Sequence, residues 1–167
     1  VCGSSMTTVD ERVDREETLV GCGCENGPLL SYGKNAGAVD NLREGKGTTF
    51  EGGIRVPFIA RYPGRIKANS VCSEPAMTID VLPTIANLID AELPAHKIDG
   101  KDIWPLLSGD PRAISPHDAY FFYYRTNELQ AMRAGKWKLH FPHNYRSLED
   151  RAPGNDGTPS TYNYSIR

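Results

Sequence analysis

The sequence lacks a long apolar run and an excess of charge of either sign. No stretch approaches the roughly 20 apolar residues that a membrane-spanning helix needs, so we predict no transmembrane segment. The 19 Lys and Arg side chains nearly balance 21 Asp and Glu side chains, which leaves a net charge of −2. This balance gives no polybasic surface for nucleic acid or an anionic membrane. We therefore expect no nucleic-acid partner.

The sequence also lacks an initial Met and a recognisable signal peptide. It opens at Val1 and stops abruptly at "NYSIR". Its 167 residues suit one domain of ordinary size. We interpret the chain as a piece of a longer protein.

Cysteine is scarce and irregularly spaced. Cys22 and Cys24 form an isolated C-x-C, and Cys2 and Cys72 stand far from them. These spacings do not match the usual zinc sites. They favour free thiols, and no disulfide pair can be assigned from them.

The first half of the chain predicts few regular elements. A helix can start near Thr8, and residues 18–20 read as the start of a strand that Gly21 weakens. Residues 29–53 form a long Gly-rich connection without a clear period, and such loops are usually functional or disordered. A short buried strand is predicted over 56–62.

The second half is more regular. Residues 80–90, "DVLPTIANLID", predict a helix with its apolar side chains on one face and Asp80 as its N-cap. A short helical segment is predicted over 103–107. Three aromatic-rich stretches predict antiparallel strands, and the residues after Phe141 read as a loop. The strands are expected at about 119–124, 129–134 and 136–141, with a hairpin turn at Gly135-Lys136.

Two glycine-containing motifs carry candidate chemistry. In "GKG", Lys46 stands between Gly45 and Gly47. An ammonium group presented in this way is a compact donor for a tetrahedral oxyanion such as sulfate or phosphate. The motif is not a P-loop, which requires Ser or Thr directly after the lysine. Taken alone, it also describes an ordinary solvated turn.

The second motif is the turn "ENGP", which follows the first predicted strand. Glu25 and Asn26 carry oxygen donors of the kind that Ca²⁺ and Mg²⁺ prefer. Ends of strands are favoured places for sites in α/β sheets. Asn-Gly turns are nevertheless common, so the motif by itself is a weak indication of a metal site.

Together, these motifs closely resemble the sulfatase family. The family's usual wording is Ser-Asp-Asn-Gly-Pro, a loop, and then Gly-Lys-Gly-Thr-x-aromatic-Glu-Gly-Gly-x-Arg-x-Pro. This chain has "ENGPLLSYGKNAG" and "LREGKGTTFEGGIRVPFIARYPGRI", followed by "TIDVLPTIANLIDAELP" and "MRAGKWKLHF". The resemblance runs from about Glu17 to Phe141 and is closest to the arylsulfatase A-like branch.

The resemblance implies an α/β fold of the alkaline phosphatase superfamily. We expect residues 1–115 to be the C-terminal part of the large domain, a partial mixed sheet with helices. Residues 116–167 would form a small, truncated antiparallel-sheet subdomain. By family habit the parent protein would be periplasmic, secreted or lysosomal.

The resemblance also implies a chemistry, the hydrolysis of sulfate esters by a formylglycine hydrate beside a divalent cation, usually Ca²⁺. Lys46 would contact the sulfate and the leaving oxygen, which makes it both a catalytic and a substrate-binding residue. Asn26 would be a calcium ligand, with Glu25 where the family has Asp. For Glu51 and Arg55 we favour a structural role, a salt bridge or hydrogen bonds that fix the loop. The substrate would be a small sulfate ester or a sulfated glycan.

The chain departs from the family at the nucleophile. No Cys/Ser-x-Pro/Ala-x-Arg run, from which formylglycine is made, occurs in the sequence. We therefore expect this chain alone to be inactive, because catalysis needs the reacting groups held together. Two alternatives stay open. The parent could be a phosphoester or phosphonate monoester hydrolase of the same superfamily, or the chain could be a non-catalytic remnant.

Overall fold

A computed structural model describes residues 16–149, 151–155, 157–161 and 163–166 of the chain. The helix predicted from Thr8 lies outside the described residues. The described residues form two compact units. The first contains residues 16–23 and Phe58–Asp118, and the second contains Cys24–Pro57 and the residues from Ala119 onward. The predicted division of the parent fold at residue 115 concerns a longer chain and stays a prediction.

Short strands and helices alternate along the chain. In order they are β1 (Val20–Gly23), a 3₁₀ helix (Leu30–Asn35), α1 (Glu51–Ile54), β2 (Phe58–Arg61), a 3₁₀ turn (Thr78–Asp80), α2 (Val81–Leu88), α3 (Trp104–Ser108), β3 (Tyr120–Tyr124), β4 (Glu128–Ala134), β5 (Trp137–His140), β6 (Asn144–Ser147) and β7 (Asn163–Ile166). This mixture confirms the predicted α/β class. Among the described residues, no helix is long and apolar enough to cross a membrane.

The first unit contains an antiparallel pair, in which β1 lies against β2 with Val20 opposite Arg61. A strand is confirmed within the predicted 56–62, but its predicted burial is wrong, because Phe58 is 49% and Ile59 54% exposed. β1 continues through Gly21, although a glycine usually weakens a strand. The bare glycine makes room for the Phe58 ring, since a Cβ on Gly21 would lie 3.3 Å from a ring carbon.

Helix α2 confirms the helix predicted from residue 80, and it ends two residues before the predicted end at residue 90. Asp80 stands at the N-cap position, but its side chain does not cap α2. Its carboxylate is fully buried. It accepts hydrogen bonds from the backbone nitrogens of Met77 at 2.7 Å and Lys101 at 2.9 Å, and it lies 2.7 Å from His117 Nε2. Asp80 therefore ties together three segments that are distant in sequence.

The apolar face predicted for α2 lines a groove of about 420 Å³. Val81, Ile85, Leu88 and Ile89 from the helix share this groove with Phe58 and Tyr62. The most buried residues of α2 are instead Pro83, Thr84 and Ala86.

The second unit contains an antiparallel sheet in the order β3–β4–β5, which confirms the three predicted strands to within two residues. Gly135 has a φ of 53° in the predicted hairpin turn. The expectation of a loop after Phe141 is wrong, because β6 pairs with β7 and Asn144 lies opposite Ile166. Partners so far apart in the chain, and strands of four residues each, leave little local pattern to detect.

The cysteines that the structure describes divide into two kinds, and Cys2 lies outside the described residues. Cys22 is disulfide-bonded, so the expectation of free thiols is wrong there. Cys24 and Cys72 are free and exposed, as predicted. Disulfide formation requires two Cα atoms within about 7 Å, a condition that spacing along the chain does not reveal.

Candidate functional site

Lys46 and Glu25 come together in the second unit, although 21 positions separate them. The Lys46 ammonium donates a hydrogen bond to Glu25 Oε1 at 3.2 Å. The exposed fraction is 43% for the lysine side chain and 85% for the glutamate side chain. An ion pair this exposed contributes about 0–1 kcal/mol, so an incoming anion can replace the carboxylate at little cost. Lys46 can therefore donate to a tetrahedral oxyanion at the surface.

Asn26 follows Glu25 and is exposed. Within the described part of the chain, the Asn26 side chain has no assigned hydrogen-bond partner. The structure thus brings two of the three predicted site residues into contact. The third, Asn26, is next to Glu25 in the chain and makes no hydrogen bond with Lys46.

Backbone contacts fix the loop that carries Lys46 onto the turn that carries Glu25. The Lys46 backbone nitrogen donates to Pro28 O at 2.8 Å, and the Gly27 nitrogen donates to Gly53 O at 2.9 Å. The contact surfaces have no room for side chains. A Cβ on Gly27 would lie 1.7 Å from Gly52 O, and one on Gly45 would lie 2.4 Å from Pro28 O. Glycine is therefore required here for close backbone approach.

Glu51, at the start of α1, is the centre of a network of ion pairs that attaches this loop to the β3–β4–β5 sheet. Its carboxylate lies 2.9 Å from Lys138 Nζ and 3.4 Å from an Arg133 nitrogen. It also lies 3.8 Å from Arg55 Nε. The salt bridge predicted for Glu51 and Arg55 is present, and their structural role stays a prediction.

Lys138 is the most buried cation of this network, with 13% of its side chain exposed. Its ammonium also donates to Thr49 O at 2.5 Å and lies 4.5 Å from the centre of the Phe122 ring. Burial lowers the pKa of Lys138, and the hydrogen bond to Glu51 opposes that shift. Lys138 is therefore held by its acceptors rather than presented to solvent.

An aromatic cluster lies beside this network. Phe50 is 8% exposed and stacks on His140, with ring centroids 4.4 Å apart. The Arg43 guanidinium lies 4.2 Å from the Phe50 ring centre and donates to the Tyr145 hydroxyl at 2.9 Å. Burial, followed by the positive charge of Lys138, lowers the pKa of His140. This cluster packs the segment that carries Lys46, residues 43–50 (the GKG loop), onto β5 and β6.

The sequence does not indicate Lys138 or His140 as partners of the loop that carries Lys46. In "KWKLHF" they occur two residues apart, and alternate residues of a strand point to the same face. That alternation was the available signal. It could not indicate which face meets the loop, since this depends on the packing of segments nearly 90 residues apart.

The fit of these residues to calcium is partial. Glu25 and Asn26 offer the oxygen donors that Ca²⁺ prefers, and both are exposed. They fall short of the roughly six to eight oxygens that the ion takes. Among the described residues, no group of three or more His, Cys, Asp or Glu side chains is arranged to hold a metal ion. The pair can therefore supply at most one side of a calcium site.

Comparison with known proteins gives a consistent set of relatives. The family model "N-sulphoglucosamine sulphohydrolase, C-terminal" matches residues 45–147, more than half of the chain. Arylsulfatase A of Bos taurus is 43% identical over an alignment of 143 residues that covers 83% of this chain and 28% of that protein. N-acetylgalactosamine-6-sulfatase of Canis lupus familiaris is 36% identical over an alignment of 159 residues that covers 94% of this chain and 30% of that protein. The chain thus spans less than a third of these relatives.

A solved structure with the same fold is that of PsFucS1 sulfatase from Pseudoalteromonas sp.. The TM-score is 0.76 at 29% sequence identity, over 89% of this chain and 30% of that one. This likeness confirms the predicted fold class.

Proposed function

Because the chain belongs to the sulfatase family, we propose that it is part of a sulfuric ester hydrolase in which Lys46 binds the sulfate group of the substrate. The observation that carries the proposal is the exposed Lys46–Glu25 pair at 3.2 Å, on a loop that glycines hold tightly against the turn. A fixed backbone beneath a solvent-accessible ammonium presents positive charge without reorganisation. Such a group stabilises charge that develops on a leaving oxygen.

We place the nucleophile outside these 167 residues. The sequence contains no Cys/Ser-x-Pro/Ala-x-Arg run from which the family makes formylglycine. A lysine without a nucleophile can bind and orient sulfate but cannot break the ester bond. The chain by itself should therefore give no turnover.

The proposal includes a calcium ion held partly by Glu25 and Asn26. Bound there, the ion would supply positive charge to the sulfate oxygens. Glu25 and Asn26 would hold it through their side-chain oxygens, and Lys46 would donate to the sulfate.

The proposed substrate class is inferred from the names of the relatives, and the proposed compartment from the disulfide. The names arylsulfatase and N-acetylgalactosamine-6-sulfatase cover a small ester and a sulfated sugar, so either a small sulfate ester or a sulfated glycan suits the site. The disulfide at Cys22 is typical of oxidising compartments. It supports a periplasmic, secreted or lysosomal parent.

The test is hydrolysis of p-nitrophenyl sulfate by the full protein that contains this chain. Loss of one donor that stabilises a developing oxyanion costs about 10²–10³ in kcat. We expect Lys46→Ala to cause a loss of that size. Lys46→Arg should retain part of the activity, since it keeps the charge. The matched control is Lys34→Ala, an exposed lysine of the same Gly-rich segment, which should leave turnover unchanged.

Wild-type turnover by Lys46→Ala would refute the role of Lys46. Turnover of p-nitrophenyl sulfate by the isolated chain would show that the nucleophile lies within these 167 residues. The same assay with p-nitrophenyl phosphate tests the phosphoester alternative. A kcat/KM for the phosphate above that for the sulfate would favour it.

A further inference from the structure

The ENGP turn, residues 25–28, contains the single Asn-Gly pair of the 167 residues. The backbone nitrogen that follows an asparagine can attack the side-chain amide of that asparagine. Glycine hinders this attack least, because it has no side chain and allows the widest range of backbone angles. Asn26 is exposed to the water that the reaction needs. Asn26-Gly27 is therefore the pair in this chain whose residue types most favour deamidation.

Deamidation at this pair needs no reagent except water. The Gly27 nitrogen gives up its proton and bonds to Asn26 Cγ, while the bond between Cγ and the side-chain nitrogen breaks and ammonia leaves with that proton. The product is a five-membered succinimide ring. Water then opens the ring at either carbonyl and leaves aspartate or isoaspartate in place of the asparagine.

The structure opposes the first step at the attacking nitrogen. Gly27 is buried, although Asn26 is exposed. The Gly27 nitrogen donates to Gly53 O, in α1, at 2.9 Å, which is the usual length of a backbone hydrogen bond. A nitrogen whose proton is held in this bond cannot turn toward Asn26 Cγ. The attack therefore requires that the bond to Gly53 O first break.

Packing prevents the turn from reorienting while this bond is made. A Cβ on Gly27 would lie only 1.7 Å from Gly52 O, so the α1 backbone touches the Gly27 backbone directly. On the next residue, Pro28 O accepts a hydrogen bond from the Lys46 backbone nitrogen at 2.8 Å. The turn is thus attached both to α1 and to the GKG loop, which fixes the peptide unit that would have to attack.

We propose that Asn26 is a deamidation site that the contact between the ENGP turn and α1 protects. Residue 26 converts to aspartate or isoaspartate only in molecules in which the turn has separated from α1. The product carries a negative charge next to Glu25, and isoaspartate also lengthens the main chain by one carbon atom. The inference concerns the backbone of the turn and does not depend on sulfate binding by Lys46.

The size of the protection follows from the opening equilibrium. Local opening is far faster than deamidation, so the reaction rate of the folded chain is proportional to the fraction of open molecules. We expect the folded chain to deamidate at least about tenfold more slowly than the unfolded chain, as the net contribution of one well-made hydrogen bond provides.

The test compares the 167-residue chain in buffer with the same chain unfolded in guanidinium chloride, at one temperature and one mildly alkaline pH. Mass spectrometry of proteolytic peptides measures the mass gain at residue 26 over time. Asn26→Gln should remove the fast reaction from the unfolded chain, which assigns it to this residue. NMR hydrogen exchange of the Gly27 N–H measures the opening independently. The N–H should be protected at least about tenfold, and deamidation should be slowed at least as much.

A variant that displaces α1 tests the contact itself. In Gly52→Ala the new Cβ would lie 1.9 Å from Glu44 O, so the peptide against which Gly27 packs must move. Protection of the Gly27 N–H should fall, and deamidation of the folded variant should accelerate about tenfold. Gly64→Ala, whose Cβ would meet no atom within 4 Å, is the matched control and should change neither rate. Circular dichroism checks that each variant is folded.

Equal deamidation rates in the folded and the unfolded chain would overturn the proposal. So would a folded Gly52→Ala variant that loses protection of the Gly27 N–H without deamidating faster. If Gly52→Ala fails to fold, the comparison of folded and unfolded wild-type chains decides. An unfolded chain that shows no mass gain at residue 26 would exclude the site altogether.

Discussion

The ion pair between Glu51 and Lys138 should be the main electrostatic attachment of the GKG loop to the β3–β4–β5 sheet. The two charges lie 2.9 Å apart, with 27% of the glutamate and 13% of the lysine side chain exposed. At an effective dielectric constant of about 20, Coulomb's law gives roughly 6 kcal/mol for charges at that separation. Desolvation of both groups offsets much of this. We expect a net coupling energy of about 1–3 kcal/mol.

The assay is a double-mutant cycle measured by urea unfolding. Glu51→Gln should destabilise the chain by about 2–3 kcal/mol, less than the 3–5 kcal/mol typical of a fully buried pair. Lys138→Met should cost less, because Arg133 and Arg55 still neutralise Glu51. The double variant should be more stable than the sum of the two single effects predicts. Asp110→Asn, which removes an exposed pair with Arg112 at 3.4 Å, should cost less than about 1 kcal/mol.

A second measurement checks the mechanism of the coupling. Burial lowers the pKa of Lys138, and the hydrogen bond to Glu51 raises it. Removing the carboxylate should therefore lower the lysine pKa further, which NMR titration of the side chain would detect. A coupling energy below about 0.5 kcal/mol, with no fall in that pKa, would refute the reasoning.

Three further predictions concern other parts of the structure. Gly27→Ala should cost about 3 kcal/mol or more in urea unfolding, because its Cβ would lie 1.7 Å from Gly52 O. Gly64→Ala, which meets no atom within 4 Å, should cost only about 1–2 kcal/mol for its positive φ; equal costs would contradict the close-packing argument. Asp80→Ala should cost about 3–5 kcal/mol, because it removes a fully buried carboxylate that accepts from two part-buried backbone donors and pairs with His117; a loss below about 1 kcal/mol would exclude the role assigned to this carboxylate. Burial lowers the pKa of His140 below its ordinary value of 6.5, so its neutral form stabilises the fold above that pH and the contribution is lost as pH falls through the folded-state pKa. His140→Gln should flatten this acid-side loss of stability, and an unchanged pH profile would count against it.

The pattern of apolar, aromatic and glycine residues along the chain correctly predicted the helices and strands that such short-range patterns specify. The period of apolar side chains located α2, and aromatic-rich alternation with a Gly turn located β3, β4 and β5. These signals are reliable because helical and strand periodicities act over a few neighbouring residues. The β6–β7 hairpin was missed, because its partners are separated by a long Gly- and Pro-containing stretch.

The reason for the glycines was only partly predicted. The sequence indicated that Gly45 and Gly47 present Lys46 on an open turn. Gly47 does have a positive φ, but Gly45 is needed for its close approach to Pro28 O. Which backbone atoms meet is a property of two segments in contact, and neither segment reveals it alone.

The sequence by itself determined the family and the absence of the nucleophile motif, since these depend on residue identity along a continuous stretch. It also predicted Lys46 as the anion-binding residue. Only the tertiary structure decided that Glu25 faces Lys46 and that Glu51 and Lys138 attach the loop to the sheet. The physical reason is that electrostatic and packing energies depend on distance and burial in space. Chain folding sets both between residues that the sequence keeps far apart.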